Sequence, residues 1–299
     1  MDELKLGMIG LDTSHCPAFT KLLLDKDGPH HVPGGRVVAA FPGGSQEFSK
    51  SYSRVDKFTE QMRDELGVEI LDSIEGVVER ADAVLLESCD GRQHLEQFEK
   101  IAPFGVPVFI DKPLATTVSD AERIVALSEE HNAPFFSCSS LRLSRGIAEL
   151  GEGRQIVGCE TFGPSPILDD FPGHFWYGIH AAEILFAKMG CGCREVTVRK
   201  TELADAMIGI WEDGRVGTMY GHQIEKGPGF GCTVFFEGGA AQGMPSDEPP
   251  AYALLAQQYI EFFRTRRPPI DPAETVEIVA FLEAANQSRE TGQPVTLKS

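Results

Sequence analysis

Short apolar runs alternate with longer amphipathic stretches through the first half of the chain. The runs at 5–9, 37–41, 69–71, 83–86, 106–110 and 134–137 are of strand length. Between them, apolar residues return at helical spacing over 14–25, 53–66, 73–80, 92–102 and 119–131. Such alternation predicts a doubly wound, mostly parallel sheet, an α/β arrangement. Local signals agree. Ser14 is placed to cap the first helix, and Pro17 falls in its first turn, where a missing N–H is harmless. Asp72 precedes the third helix, and Ser119-x-x-Glu122 predicts a capping box.

From about residue 141 the pattern changes. Strand-like runs follow one another at 156–162, 194–201, 206–211, 216–222 and 232–237, and Asp213-Gly214 between two of them predicts a hairpin turn. Helices are expected at 175–189, closed by Gly190, at 250–264, and from 272, with Asp271 capping and Pro272 at the first helical position. The stretch 238–250 is rich in Gly and Pro and predicts a loop. Two domains result, 1–140 and 141–299. The second is α+β with an open, mainly antiparallel sheet, and its C-terminal helix is free to pack back on the first.

The chain of 299 residues is long enough for both cores. A formal charge of −18 argues against nucleic acid and against an anionic membrane surface, which need a basic footprint. No run of about 18 apolar residues offers a membrane span. The opening Met1-Asp2-Glu3-Leu4-Lys5 leads straight into a strand without a signal-peptide pattern. Seven cysteines lack paired C-x-x-C spacing, and together these read as a reduced, cytoplasmic protein. Cys16, beside His15 at a helix start, is either an activated thiolate or a core thiol. His15, Cys16, His30 and His31 match no closed zinc spacing, so no metal is expected.

Asp111-Lys112-Pro113-Leu114-Ala115 is the most informative stretch. A lysine at the carboxyl end of a buried strand stands where open α/β sheets bind ligands, and the following proline aims it and permits a cis bond. The plainer reading is a strand-ending turn with a surface lysine. His180 and Glu183, three apart on one helical face, are either a catalytic imidazole with its orienting carboxylate or a polar pair at a domain edge.

Together with His94 after Cys89-Asp90, the run Tyr177-Gly178-Ile179-His180-Ala181-Ala182-Glu183, and the ending Pro269-Ile270-Asp271-Pro272, this stretch resembles the glucose–fructose oxidoreductase/inositol dehydrogenase (Gfo/Idh/MocA) family. The resemblance spans the chain. It implies an N-terminal Rossmann domain, an antiparallel substrate-binding domain and a homo-oligomer formed through that domain's sheet. The implied activity is hydride transfer between NAD or NADP and a hydroxyl-bearing carbon of a sugar, cyclitol or similar small molecule. Lys112 and His180 are then catalytic. Gly10, Asp12, Thr13, Ser14, Pro42, Gly43, Gly44, Ser45, Cys89, His94, Asp111 and Lys112 fall at the cofactor. Lys112, His174, Trp176, Tyr177, His180 and Glu183 fall at the substrate.

The chain departs from that pattern in three places. Gly10-Leu11-Asp12-Thr13-Ser14-His15 keeps the first glycine of G-x-G-x-x-G but puts Asp12 and His15 at the second and third, where a pyrophosphate and close packing need glycine. A carboxylate there repels a pyrophosphate unless it turns away or pairs with His15, whereas Thr13 and Ser14 retain donors. The second strand ends Phe41-Pro42-Gly43-Gly44-Ser45 without a ribose-binding acid, and a backbone nest there leans toward NADP. Trp176 replaces an expected aspartate and offers a ring to stack on a sugar. A non-catalytic ligand-binding or regulatory protein, and a lyase or hydrolase in the same cleft, stand as alternatives.

Overall fold

The computed structural model describes residues 3–227 and 229–297. The chain forms two compact units: the first holds the residues up to Ala115, Ser119–Cys138 and Tyr252–Pro272, and the second holds Thr116–Val118, Ser139–Ala251 and the chain from Ala273.

In the first unit the elements run β1 (Leu4–Ile9), α1 (His15–Leu24), β2 (Gly35–Phe41), α2 (Ser49–Tyr52), α3 (Val55–Glu60), β3 (Glu69–Ile70), α4 (Ile74–Val78), β4 (Ala83–Leu86), α5 (His94–Ile101), β5 (Val108–Ile110), α6 (Val118–His131, in this unit from Ser119 on) and β6 (Phe135–Ser137). The strands pair in parallel in the order β3-β2-β1-β4-β5-β6. All four residues of β4 and all three of β5 are buried, which is why these strands read as unbroken apolar runs. The strand order reverses between β1 and β4. Such a switch point opens a crevice at the carboxyl ends of the strands.

The second unit contains α7 (Arg145–Ala148), β7 (Ile156–Pro164), α8 (Gly178–Met189), β8 (Cys193–Lys200), β9 (Ala204–Trp211), β10 (Val216–His222), β11 (Gly231–Phe236), β12 (Gly239–Gly243), α10 (Pro272–Thr291) and β13 (Val295–Thr296); α9 (Ala251–Thr265) comes before α10 and belongs, from Tyr252 on, to the first unit. Its sheet runs β12-β11-β7-β10-β9-β8-β13 and is antiparallel except for β7 beside β10. The hairpin between β9 and β10 turns at Asp213-Gly214, with Gly214 at φ +87°, where a side chain is strained. Along β9, Met207 and Trp211 face inward while Ile208 and Ile210 remain exposed.

Aromatic packing joins α9 to the first sheet. The rings of Phe136 and Phe262 meet edge to face at 5.0 Å, and Tyr259 lies 5.9 Å from Phe109. Each such buried ring contributes roughly 1.5–3 kcal/mol. In the second unit Phe281 of α10 meets Phe186 of α8 at 5.6 Å.

Several local expectations are corrected. The helix expected over 53–66 is α3 followed by a π-helical turn at Gln61–Glu65, with Phe58 and Met62 keeping a buried face through the change. Ser73, not Asp72, caps α4 by accepting the Gly76 N–H at 3.2 Å. Helix α6 begins at Val118, so Ser119 lies inside its first turn rather than at the cap. The stretch expected as loop over 238–250 contains β12, because its Gly and Ala residues pair with β11.

Candidate active site

In the first unit, the loop after β1 departs from the sheet at Gly10. Its φ is +85°, and a Cβ there would meet Ser88 Oγ at 2.2 Å, so only glycine fits. Asp12 is fully buried. Its Oδ1 accepts the Cys89 backbone N–H at 3.0 Å, and its Oδ2 accepts the Ser51 hydroxyl at 2.5 Å and the Cys89 thiol at 3.3 Å. The carboxylate therefore turns into the protein, toward Ser51 and Cys89 rather than His15. Ser14 is exposed at the start of the ten-residue α1, and its side chain makes no cap hydrogen bond. Cys16 is buried, and burial with the Glu87 and Asp12 charges raises its thiol far out of the reactive range. It is a core thiol.

Ser45 and Cys89 are spent in the same network. The Ser45 N–H is donated to Ser51 Oγ at 2.7 Å, which removes one donor from the expected nest at 43–45. Pro42 supplies the carbonyl that accepts the Leu11 N–H. His94 is fully buried; its Nδ1 lies 3.0 Å from the Leu114 carbonyl and its Nε2 2.7 Å from that of Ser88. It braces the segment after β4 to the segment after β5, and its ring nitrogens are committed there.

Strands β4 and β5 are each followed directly by a carboxylate, Glu87 and Asp111. His15 Nδ1 lies 2.9 Å from Asp111 Oδ2 and 3.7 Å from Glu87 Oε2, and Lys112 Nζ lies 3.6 Å from Asp111 Oδ2. Lys112 is 8% exposed and its bond to Pro113 is cis. Burial works against ionising His15, Asp111 and Glu87. Around His15 it is outweighed by Asp111, with Glu87 adding, which raises the imidazole to about 9. Burial would raise Asp111 too, but His15 and Lys112 hold it well below the usual carboxylate range. Glu87 is pushed by burial, with Asp111 adding to it, up to about 7. Sequence reasoning missed Glu87. A carboxylate closing a wholly apolar strand, as Asp111 does, was the available signal.

In the second unit, His180 stands in the first turn of α8 with Nδ1 2.6 Å from Ser139 Oγ, which also accepts the Leu141 N–H. The rings of Tyr177 and Phe230 lie 5.9 and 5.2 Å from the imidazole, and Trp176 packs on Tyr177 at 5.5 Å. Glu183 shares the helical face but is 1% exposed and takes the Arg142 guanidinium at 2.7 Å; Arg142 also bonds Glu274. The group beside His180 is thus Ser139, a correction to the expected His180–Glu183 pair, because a buried carboxylate keeps the nearest cation. His174 is corrected likewise. It is fully buried, with Nδ1 2.8 Å from Ser165 Oγ and Nε2 3.2 Å from Asp205, which also takes Arg289. Both residues work inside their unit rather than on its surface.

Residues 35–138 match the model of the Gfo/Idh/MocA oxidoreductase family, described as an NAD-binding Rossmann fold. That match bears out the resemblance read from the motifs. No curated protein sequence matches the chain. Similar solved structures include myo-inositol dehydrogenase from Lactobacillus casei in complex with NAD(H) and myo-inositol, at TM-score 0.78 and 17% identity over 100% of this chain and 98% of that one. Another is the WlbA dehydrogenase from Bordetella pertussis in complex with NADH and UDP-GlcNAcA, at 0.76 and 16% over 100% of both chains. GenD2 from gentamicin A biosynthesis, in complex with NAD, scores 0.80 at 13% identity over 100% and 97%. Identities this low establish the fold alone.

Proposed function

We propose that the chain is a nicotinamide-dependent oxidoreductase that exchanges hydride with a hydroxyl-bearing carbon of a sugar, cyclitol or related small polyhydroxy compound. The observation that carries this reading is Lys112, held by Asp111 at the carboxyl end of β5, beside the switch point of a parallel sheet. The dinucleotide supplies the hydride acceptor or donor when bound. The loop from Gly10 to Ser14 suits it. Gly10 allows the close turn, Asp12 is turned inward so that its charge does not oppose a pyrophosphate, and Thr13 and Ser14 stand at the start of α1, where N–H groups favour anions. NAD is favoured over NADP, since the Ser45 N–H that a 2′-phosphate nest needs is donated to Ser51. The related structures named above hold NAD or NADH.

Lys112 is assigned to orient the reacting hydroxyl and stabilise charge on its oxygen. His180 is assigned as the general acid/base, since an imidazole exchanges protons near neutral pH. With Nδ1 turned to Ser139, that exchange falls to Nε2. Trp176 and Tyr177 offer aromatic surface for the apolar face of a ring substrate. The exposed apolar residues Ile208, Ile210, Val216 and Tyr220 on β9 and β10 support homo-oligomerisation through this sheet face.

Calorimetric titration of the purified protein with NAD⁺, NADH, NADP⁺ and NADPH tests the reading. Micromolar binding of NAD⁺ or NADH, followed by turnover of a polyol or sugar acid, is expected. No binding of any of the four removes the dehydrogenase and leaves a ligand-binding protein of the same fold.

A further inference from the structure

Glu87 presents a problem of charge that the first unit does not solve by itself. It is fully buried at the end of β4, and neither of its carboxylate oxygens has a hydrogen-bond partner among the described residues. An unpaired buried carboxylate costs several kcal/mol, so such groups are neutralised or coordinate a cation. The nearby imidazole does not suffice. His15 Nδ1 can carry one proton, yet it faces two carboxylates: it is 2.9 Å from Asp111 Oδ2 but out of line for a hydrogen bond there, and at 3.7 Å it is too far from Glu87 Oε2 for one.

The three groups do suit one common partner. Their ligand atoms lie within 4.8 Å of one another. A transition metal bound at about 2.1 Å holds neighbouring ligand atoms roughly 3.0–3.4 Å apart at octahedral or tetrahedral angles, and the two separations above bracket that range. One imidazole nitrogen with two carboxylate oxygens is a borderline set, suited to Mn²⁺, Fe²⁺ or Zn²⁺ rather than to soft ions.

We propose that His15, Glu87 and Asp111 form a binding site for a divalent transition-metal cation, tying the start of α1 to the ends of β4 and β5. The Lys112 ammonium, 3.6 Å from Asp111, opposes a cation there. A cation that binds displaces the proton of His15, and with the imidazole then neutral the two carboxylates and that ammonium sum to one negative charge. A divalent ion is therefore still attracted, and the ammonium and the displaced proton both weaken its binding. Its effect is to fix the backbone that carries Lys112, and the site requires no dinucleotide to form.

The test is titration of the metal-stripped full chain with Mn²⁺ and Zn²⁺, with Co²⁺ as a visible-absorption probe. One equivalent is expected to bind with a Kd in the micromolar range, at least thirtyfold weaker in Glu87→Gln and in His15→Gln. Because either variant can fail to fold, pulsed electron paramagnetic resonance of Mn²⁺ on the unaltered chain is the second readout, and a nitrogen coupling from one imidazole is expected. No saturable binding, undiminished binding in both folded variants, or Mn²⁺ bound without a nitrogen coupling overturns the site. Glu87 is then a neutral carboxylic acid.

Discussion

Asp12 accepts the backbone N–H of Cys89 at 3.0 Å, so a carboxylate at the second-glycine position ties β1 to the segment after β4. An acid that looks hostile to a phosphate is converted by this bond into an internal acceptor. Replacing it with Ala leaves the buried Cys89 N–H and Ser51 hydroxyl without their acceptor. Asp12→Ala is expected to lower stability by about 1–3 kcal/mol and to weaken NAD⁺ binding, measured by urea denaturation and calorimetry. Equal stability in the two proteins contradicts the role of this tie.

Lys112→Ala is expected to reduce turnover by a factor on the order of 10²–10⁴ while changing NAD⁺ affinity less than about threefold, since the phosphate contacts are assigned to the loop after β1. Steady-state kinetics with a substrate found by screening, beside calorimetry, separates the two effects. Full turnover removes Lys112 from the reaction.

Ser139 meets His180 at 2.6 Å and holds its ring. Ser139→Ala is expected to lower kcat about tenfold with a smaller effect on KM, since a group aligned for proton transfer matters most in the transition state. It is also expected to displace the pH profile of kcat. Unchanged kcat and profile leave Ser139 a purely structural cap of its own turn.

Burial pushes the Glu183 carboxyl up to about 7 from an ordinary value of 4.5, against the pull of Arg142. The folded chain therefore holds this proton more tightly than the unfolded chain. The stability that results is fully present below about pH 4.5 and is lost as pH rises through 7. Glu183→Gln is expected to remove this dependence, a difference of at most roughly 3 kcal/mol between pH 4.5 and 8. Denaturation midpoints of both proteins at the two pH values decide it. Parallel curves refute the assignment.

On the open face of β9 and β10, Ile208 and Tyr220 are 37% and 48% exposed. Ile208→Glu is expected to shift the sedimentation of the chain to that of a monomer without lowering its stability by more than about 0.5 kcal/mol, as at a surface position. A monomer before substitution eliminates the interface.

The fold was largely legible from the residues. Buried strands such as Ala83–Leu86 and Val108–Ile110 are apolar throughout, and α1, α8 and α10 start and stop near their own caps, prolines and glycines. Less was visible where pairing at a distance makes the element. Gly239–Gly243 is a strand because β11 lies beside it, and nothing local in its glycines and alanines says so. The site was legible as positions more than as partners. Lys112 and His180 stood out by motif, whereas the Ser139–His180 and Arg142–Glu183 contacts join residues 41 apart in sequence.

Apolar periodicity, turn residues and the Asp111-Lys112-Pro113 stretch were enough to determine most of the strands and helices, the switch from α/β to antiparallel order, and the place of the lysine. They act over a few residues, within reach of local sterics and side-chain patterning. Tertiary structure alone decided the partner of each buried charge. Whether Asp12 faced a phosphate or Cys89, and whether Glu183 served His180 or Arg142, depended on which donor the fold brought within hydrogen-bond distance. A desolvated carboxylate is held by its nearest donor, and spacing along the chain does not say which donor that is.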